Sequence, residues 1–236
     1  MDNKPRISII TPTTLSRSKF LPLLVNNVLS QNYPHELLEW VVVGDMDPRT
    51  KDIFLKIFED IKLITCKYYE CDIMDNIGRK RNFACSLAKS KIFANMDSDD
   101  FYQRSYLEYS IKTMKEHKVS LVGARDMLIF YPDIGGKMTF VRGVRAHEAS
   151  MVYRKSHWAK YKYANVKNAE GVNLLIRGTY FNEVDIRQIM ICFAHGDNTF
   201  NKDSLKDSTE VSISDDMREM IMKMYSTCES KNNVKS

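Results

Sequence analysis

No stretch of the 236 residues approaches the roughly 18 consecutive apolar residues of a membrane span. The opening residues, MDNKPR, have no apolar segment behind them, so no secretory leader is expected. Cysteine spacing of the metal or redox kind is missing as well. The five cysteines (Cys66, Cys71, Cys85, Cys192, Cys228) are odd in number and form no Cys-x-x-Cys. Reduced thiols in a cytoplasmic protein are the simplest expectation. A strong charge of one sign is absent: +5 favours anionic partners mildly and is no nucleic-acid signature. Internal repeats and low-complexity linkers are lacking too. What is present, 44% apolar and 28% charged residues, is ordinary for a soluble globular protein. The length allows one domain with a small appendage.

The chain is organised around residues 92–101, IFANMDSDDF. A short apolar run reads as a buried strand, and it leads straight into Asp97, Asp99 and Asp100. The C-terminal edge of such a strand is where open α/β sheets bind ligands. A cation would relieve the mutual repulsion of the acids, and oxygen ligands suit Mg²⁺ or Mn²⁺. The alternative is an acidic turn before a helix, capped by Ser98 or Asp100. An EF-hand is excluded, because Phe101 and Tyr102 stand where it needs an oxygen ligand and a glycine. A phosphatase-type Asp-x-Asp follows the first strand of its domain, whereas here other strands come first.

Those earlier strands are expected at Ile7–Thr11, Leu38–Val43 and Ile61–Tyr68, from their β-branched and apolar runs. Helices are expected at Ser18–Gln31, with Pro22 in its first turn, at Thr50–Asp60 and at Arg79–Lys89. This alternation predicts a doubly wound α/β sheet. The second half is less regular. A helix is expected at Ser105–Lys118, and strands at Val119–Tyr131, Lys137–Arg142 and Ala149–Tyr153. A short helix at Val172–Arg177 and strands at Val184–Ile186 and Gln188–Ala194 follow. Met217, Met220, Ile221 and Met224 fall at helical spacing and read as one packing face. From Glu229 the chain is polar, and disorder is expected.

Four further constellations could carry chemistry. Asp45 ends the second strand and could accept from a base N–H or a ribose hydroxyl; otherwise it is a turn residue. Gly78-Arg-Lys-Arg-Asn82 puts three cations at a helix N-terminus, which the macrodipole disfavours unless an anion such as phosphate is near. A solvated basic face is the alternative. Glu170 follows Asn168, a possible N-cap; it is either a dipole-stabilising acid or a general base. His195, in the turn HGDN, is structural or a metal ligand.

Taken in order, these stretches resemble the family-2 glycosyltransferases of the GT-A fold, over roughly residues 5 to 200. ISIITPTT is similar to that family's first strand before its nucleotide loop. EWVVVGD is similar to the second strand with its Asp pair, Gly44 replacing the first Asp. NIGRKRNFACSLAKSKIFANMDSDD resembles the Gly…Arg-Asn helix followed by the Asp-x-Asp-Asp strand. AEGVNLL and HGDN resemble the base motif and the late His turn.

The resemblance implies a Rossmann-related, mostly parallel α/β sheet flanked by helices, with a less regular second half on the acceptor side. It places a glycosyltransferase domain at 1–205 and a C-terminal helix and polar tail at 206–236. It implies a UDP- or GDP-sugar donor, Mn²⁺ or Mg²⁺, inversion, and a glycan, lipid or protein acceptor. Thr11, Pro12, Asp45, Arg81, Asp97 and Ser98 would hold the donor. Asp97, Asp99, Asp100 and His195 would hold the metal. The family often carries Glu-Asp at the base motif; with Gly171 second here, Glu170 would serve as base. Two other classes stay open. A nucleotidyltransferase would show a glycine-rich loop after the first strand, and TPTTLSRSK has no glycine. A donor-binding module without turnover is the other.

Overall fold

Ile7 and Ile9 enter one apolar cluster, Ile10 the other, and all three are fully buried. A strand buried on both faces belongs to a sheet covered by helices on both sides. The computed structural model describes residues 4–71, 76–175 and 181–229. Its first half runs β1 (Ile7–Pro12), α1 (Leu21–Leu29), β2 (Leu38–Gly44), α2 (Pro48–Asp60), β3 (Thr65–Glu70), α3 (Ile77–Leu87) and β4 (Ile92–Asn95). β1 pairs in parallel with β2 and β4, and β2 with β3. The expected alternation is therefore present, with shifted ends. A 3₁₀ turn, Leu15–Phe20, replaces the first turn of the expected first helix. The third strand starts late because Ile61 still donates to Phe58, closing α2.

The second half runs β5 (Phe101–Tyr102), α4 (Tyr106–Glu116), β6 (Leu121–Gly123), β7 (Met127–Tyr131), β8 (Lys137–Val141), β9 (Val152–Arg154), α5 (Lys155–Tyr161), β10 (Phe181–Glu183), β11 (Met190–Phe193), β12 (Thr209–Glu210) and α6 (Asp215–Glu229). The main sheet has the order β10-β6-β9-β4-β1-β2-β3, with β9 antiparallel to β4 and β6. A second sheet, β12-β8-β7-β11-β5, has no counterpart in the sequence reading. The single strand expected at Val119–Tyr131 is in fact β6 and β7, which belong to different sheets. The strand expected at Val184–Ile186 lies earlier, as β10, and Asp185 instead caps a 3₁₀ turn, Ile186–Gln188. The helix expected at Val172–Arg177 is a 3₁₀ turn, Glu170–Leu175, and its last two residues lie outside the described ones.

The helix expected after residue 205 packs into the main core. Ile221, Tyr225 and Cys228 are buried there, whereas Met217 and Met220 are exposed. The methionine face is thus corrected in part: Ile221 and Met224 do pack on the core, and the buried 221/225/228 stripe has the helical period and faces α1. The tail beyond Glu229 lies outside the described residues. Among the described residues no helix is long and apolar enough to cross a membrane.

Candidate active site

β1, β2 and β4 run parallel, so their C-terminal ends share one rim of the sheet. Thr13 and Asp45 follow the first two ends directly, and Asp97 follows the third after Met96. The N-terminus of α3 reaches the same rim, capped by Asn76, whose side chain accepts from Arg79 N. Lys80 bridges the first two loops: its Nζ donates to Thr13 O (3.1 Å) and pairs with Asp45 Oδ1 (2.9 Å). The loops lie close. A Cβ on Gly44 would come within 2.5 Å of Thr13 Cγ2 and 3.1 Å of Thr13 O. That crowding explains a glycine at the place of the first Asp of the resembling motif.

Arg81, fully buried, links the acidic strand to the base motif. Its Nη2 lies 2.8 and 2.9 Å from the two oxygens of Asp97, and its Nε donates to Glu170 Oε1 at 2.8 Å. Burial alone would lower its pKa, but Asp97 and Glu170 raise it well above the ordinary value, so the guanidinium stays charged. Its Nη1 finds no partner among the described residues. Two backbone features bring Glu170 here. Gly78 lets α3 approach the 164–170 segment, since a Cβ there would run into the carbonyl oxygen of Ala164. Ala169 adopts φ +57°, a left-handed turn that a non-glycine residue takes at a cost of about 1–3 kcal/mol. Within the cationic run, Lys80 and Arg81 are thus met by the chain's own carboxylates, while Arg79 is exposed.

The expected metal group is only partly assembled. Asp99 Oδ2 lies 3.1 Å from His195 Nε2 and 3.3 Å from Arg17 Nε. Burial would raise the Asp99 carboxyl, but Arg17 and then His195 hold it well below the usual range. Asp100 turns the other way. Its Oδ1 accepts from Phe193 N (3.1 Å) and Lys202 Nζ (3.4 Å), and burial pushes it up to about 6 despite Lys202. Among the described residues no three His, Cys, Asp or Glu side chains converge as a metal cluster. Of the four ligands read from sequence, the structure brings together Asp99 and His195. Asp97 faces Arg81, and Asp100 faces β11.

Thr11 is also corrected. It shares the phase of Ile7 and Ile9 along β1, so it points into the core, where its Oγ1 accepts from Trp40 Nε1. Pro12 does line a cavity, of about 260 Å³, with Thr13, Arg17, Lys80, Lys167 and Thr199 among its walls. Ser98 is buried, and its hydroxyl has no partner among the described residues. Sequence reasoning missed Arg17, Lys202 and Thr13. Lys80, by contrast, was visible in the GRKRN run, whereas Lys202 lies 102 residues from Asp100.

Residues 8–184 match the profile described as Glycosyl transferase family 2. The chain belongs to that family. A relative from Bacillus subtilis (strain 168), which carries the name teichuronic acid biosynthesis glycosyltransferase TuaG, is 34% identical over 119 residues. That alignment covers 48% of this chain and 43% of TuaG. S. aureus TarS (1–349), solved with UDP, superposes with a TM-score of 0.64 at 16% identity, over 80% of this chain and 60% of that one. The mannosyltransferase PcManGT from Pyrobaculum calidifontis, solved with GDP-Man and Mn²⁺, gives 0.61 at 15% identity, over 84% and 59%. These likenesses show the GT-A fold of the family. The chain spans less than two thirds of the relatives' own length.

Proposed function

We propose that this family-2 chain is an inverting glycosyltransferase. It moves a hexosyl unit from a UDP- or GDP-sugar to a hydroxyl of a glycan, lipid or protein acceptor. The observation that carries the reading is the cationic cavity at the rim, where Arg17, Lys80 and Lys167 line a space of about 260 Å³ beside the acidic strand. A nucleoside diphosphate has the charge and size for it. TarS with UDP and PcManGT with GDP-Man support the donor class.

Pro12, Thr13 and Asp45 would face the nucleoside, and Arg17 and Lys80 the diphosphate. Ser98, whose buried hydroxyl has no partner among the described residues, and Asp97, fixed by Arg81, would orient the sugar. Asp99 and His195 would hold a divalent cation: a carboxylate oxygen and an imidazole nitrogen converge there. Mn²⁺ or Mg²⁺ bound there would neutralise charge on the leaving diphosphate. The acceptor hydroxyl attacks from the face opposite the leaving group, which inverts the centre. One carboxylate takes its proton; the sequence names Glu170, whose Oε1 is held by Arg81.

Thermal shift with UDP-GlcNAc and GDP-Man, with Mn²⁺ or with chelator, tests the reading. A donor at 100 times its Kd adds about 2.7 kcal/mol of stability. The expected result is a shift with one donor that shrinks in chelator. No shift with either donor refutes the donor class, and an equal shift in chelator refutes the metal. Gly171, a glycine at the place of the usual acid, favours a second reading, binding without turnover. Hydrolysis of the bound donor decides against it.

A further inference from the structure

Gly171 is buried, yet its backbone does not call for glycine. The glycines with positive φ among the described residues are Gly135 and Gly136. What excludes a side chain at 171 is Glu148. A Cβ on Gly171 would stand 2.8 Å from Glu148 Cγ and 2.9 Å from its Oε1. Glu148 Oε1 also accepts the Gly171 N–H at 2.9 Å. The Glu148 carboxylate therefore fills the volume that a side chain at 171 would fill.

The position is anchored to the acidic strand. Glu148 opens the 3₁₀ turn Glu148–Ser150 before β9, and its carbonyl accepts from Asn95 Nδ2 at the end of β4. Tyr102 OH ties the same region together, donating to Ala149 O and accepting from Asp97 N. Two carboxylates thus lie side by side with different commitments. Glu170 is 5% exposed and paired with Arg81. Glu148 is partly exposed and makes no ion pair among the described residues. Burial and then the charge of Glu170 raise its pKa, which suits a group that must take up a proton.

We propose that Glu148 is the general base of sugar transfer, and that Glu170 instead holds Arg81 against Asp97. This rests on the transferase reading above. The acceptor hydroxyl gives its proton to Glu148 as its oxygen bonds to the anomeric carbon. The anomeric C–O bond to the diphosphate breaks, and its electron pair leaves with the nucleoside diphosphate.

The test uses the full chain with Mn²⁺, UDP-GlcNAc and GDP-Man as donors, and water as acceptor. Hydrolysis, UDP and GDP affinity, and melting temperature are measured together. E148Q keeps an oxygen to accept the Gly171 N–H but cannot take a proton. Hydrolysis should fall by about 10²–10⁴-fold, with affinity and melting temperature near wild type. E148A/G171D empties the crowded volume and returns a carboxylate to it, so it should regain much of the rate that E148A loses. Near wild-type hydrolysis by E148Q overturns the assignment and leaves the transferase reading standing. So does a fall in rate matched by losses of nucleotide affinity and melting temperature, the pattern of a structural role. A wild-type chain that neither binds nor hydrolyses either donor overturns the transferase reading, and the base with it.

Discussion

Arg81 is shared between two carboxylates from opposite sides of the site, Asp97 after β4 and Glu170 after α5. A guanidinium can span both because its donors lie in one rigid fork, whereas lysine is a point charge. Removing it leaves the buried Glu170 and the partly exposed Asp97 without their counter-charge. Breaking a buried pair in this way costs about 3–5 kcal/mol. R81A should show that loss in denaturant unfolding, with R81K intermediate, since it keeps charge but not reach. A cost under about 1 kcal/mol, the range of an exposed pair, would show that the bridge does not hold the site together. Asp45 belongs to the same scale. D45A should weaken nucleotide binding by about 1–3 kcal/mol, and calorimetry with UDP and GDP checks it. Unchanged affinity would confine Asp45 to its pair with Lys80. Both residues were legible in the sequence as charges out of place, a cation at a helix start and an acid at a strand end. Their partners were not, because side chains far apart in sequence meet only in the fold.

Among elements, α3 has the most to position. Asn76 caps it, Lys80 reaches Asp45 while Arg81 reaches Asp97 and Glu170, and Gly78 sets its distance from the 164–170 segment. G78A should be disproportionately harmful for one methyl group. The clash is with backbone, the carbonyl of Ala164, which cannot rotate away. Helix propensity alone would make the change stabilising by about 1 kcal/mol, so a lower melting temperature and weaker nucleotide binding would identify the contact. A higher melting temperature would refute it. The start of α3 was readable from Asn76-Ile-Gly78, and so was the strand–helix alternation up to β4, because those segments carry long periodic patterns. The second half was not. Its strands are short, and neighbours such as β12 and β8 or β11 and β5 are far apart in sequence. Thr11 was misplaced for another reason. The strand was read correctly, but which face of β1 the threonine takes is decided by two-residue alternation against Trp40.

At the scale of the whole molecule, the second sheet is tied to the acidic strand through Lys202, which donates to Phe193 O and Asp100 Oδ1. Its charge acts further, on His147, in the loop between β8 and β9. Burial first, and Lys202 after it, lower the His147 pKa to about 4, and its Nε2 has no partner among the described residues. An unfolded histidine titrates near 6.5. Between pH 6.5 and about 4 the unfolded chain therefore binds a proton there that the folded chain refuses. Stability falls as pH drops through that window, at up to about 1.4 kcal/mol per unit. Asp100 works in the opposite sense. Its pKa is raised to about 6, so its contribution is present at low pH and lost as pH rises through about 6. The curve of the parent chain mixes the two, and the difference from a variant separates them. His147→Asn removes one titration and leaves Asp100 untouched. Denaturant unfolding of both chains from pH 7 to pH 4 should show the variant gaining on the parent steadily below pH 6.5. A gap that stays constant across the window would mean that the folded protein protonates His147 as readily as the unfolded chain does.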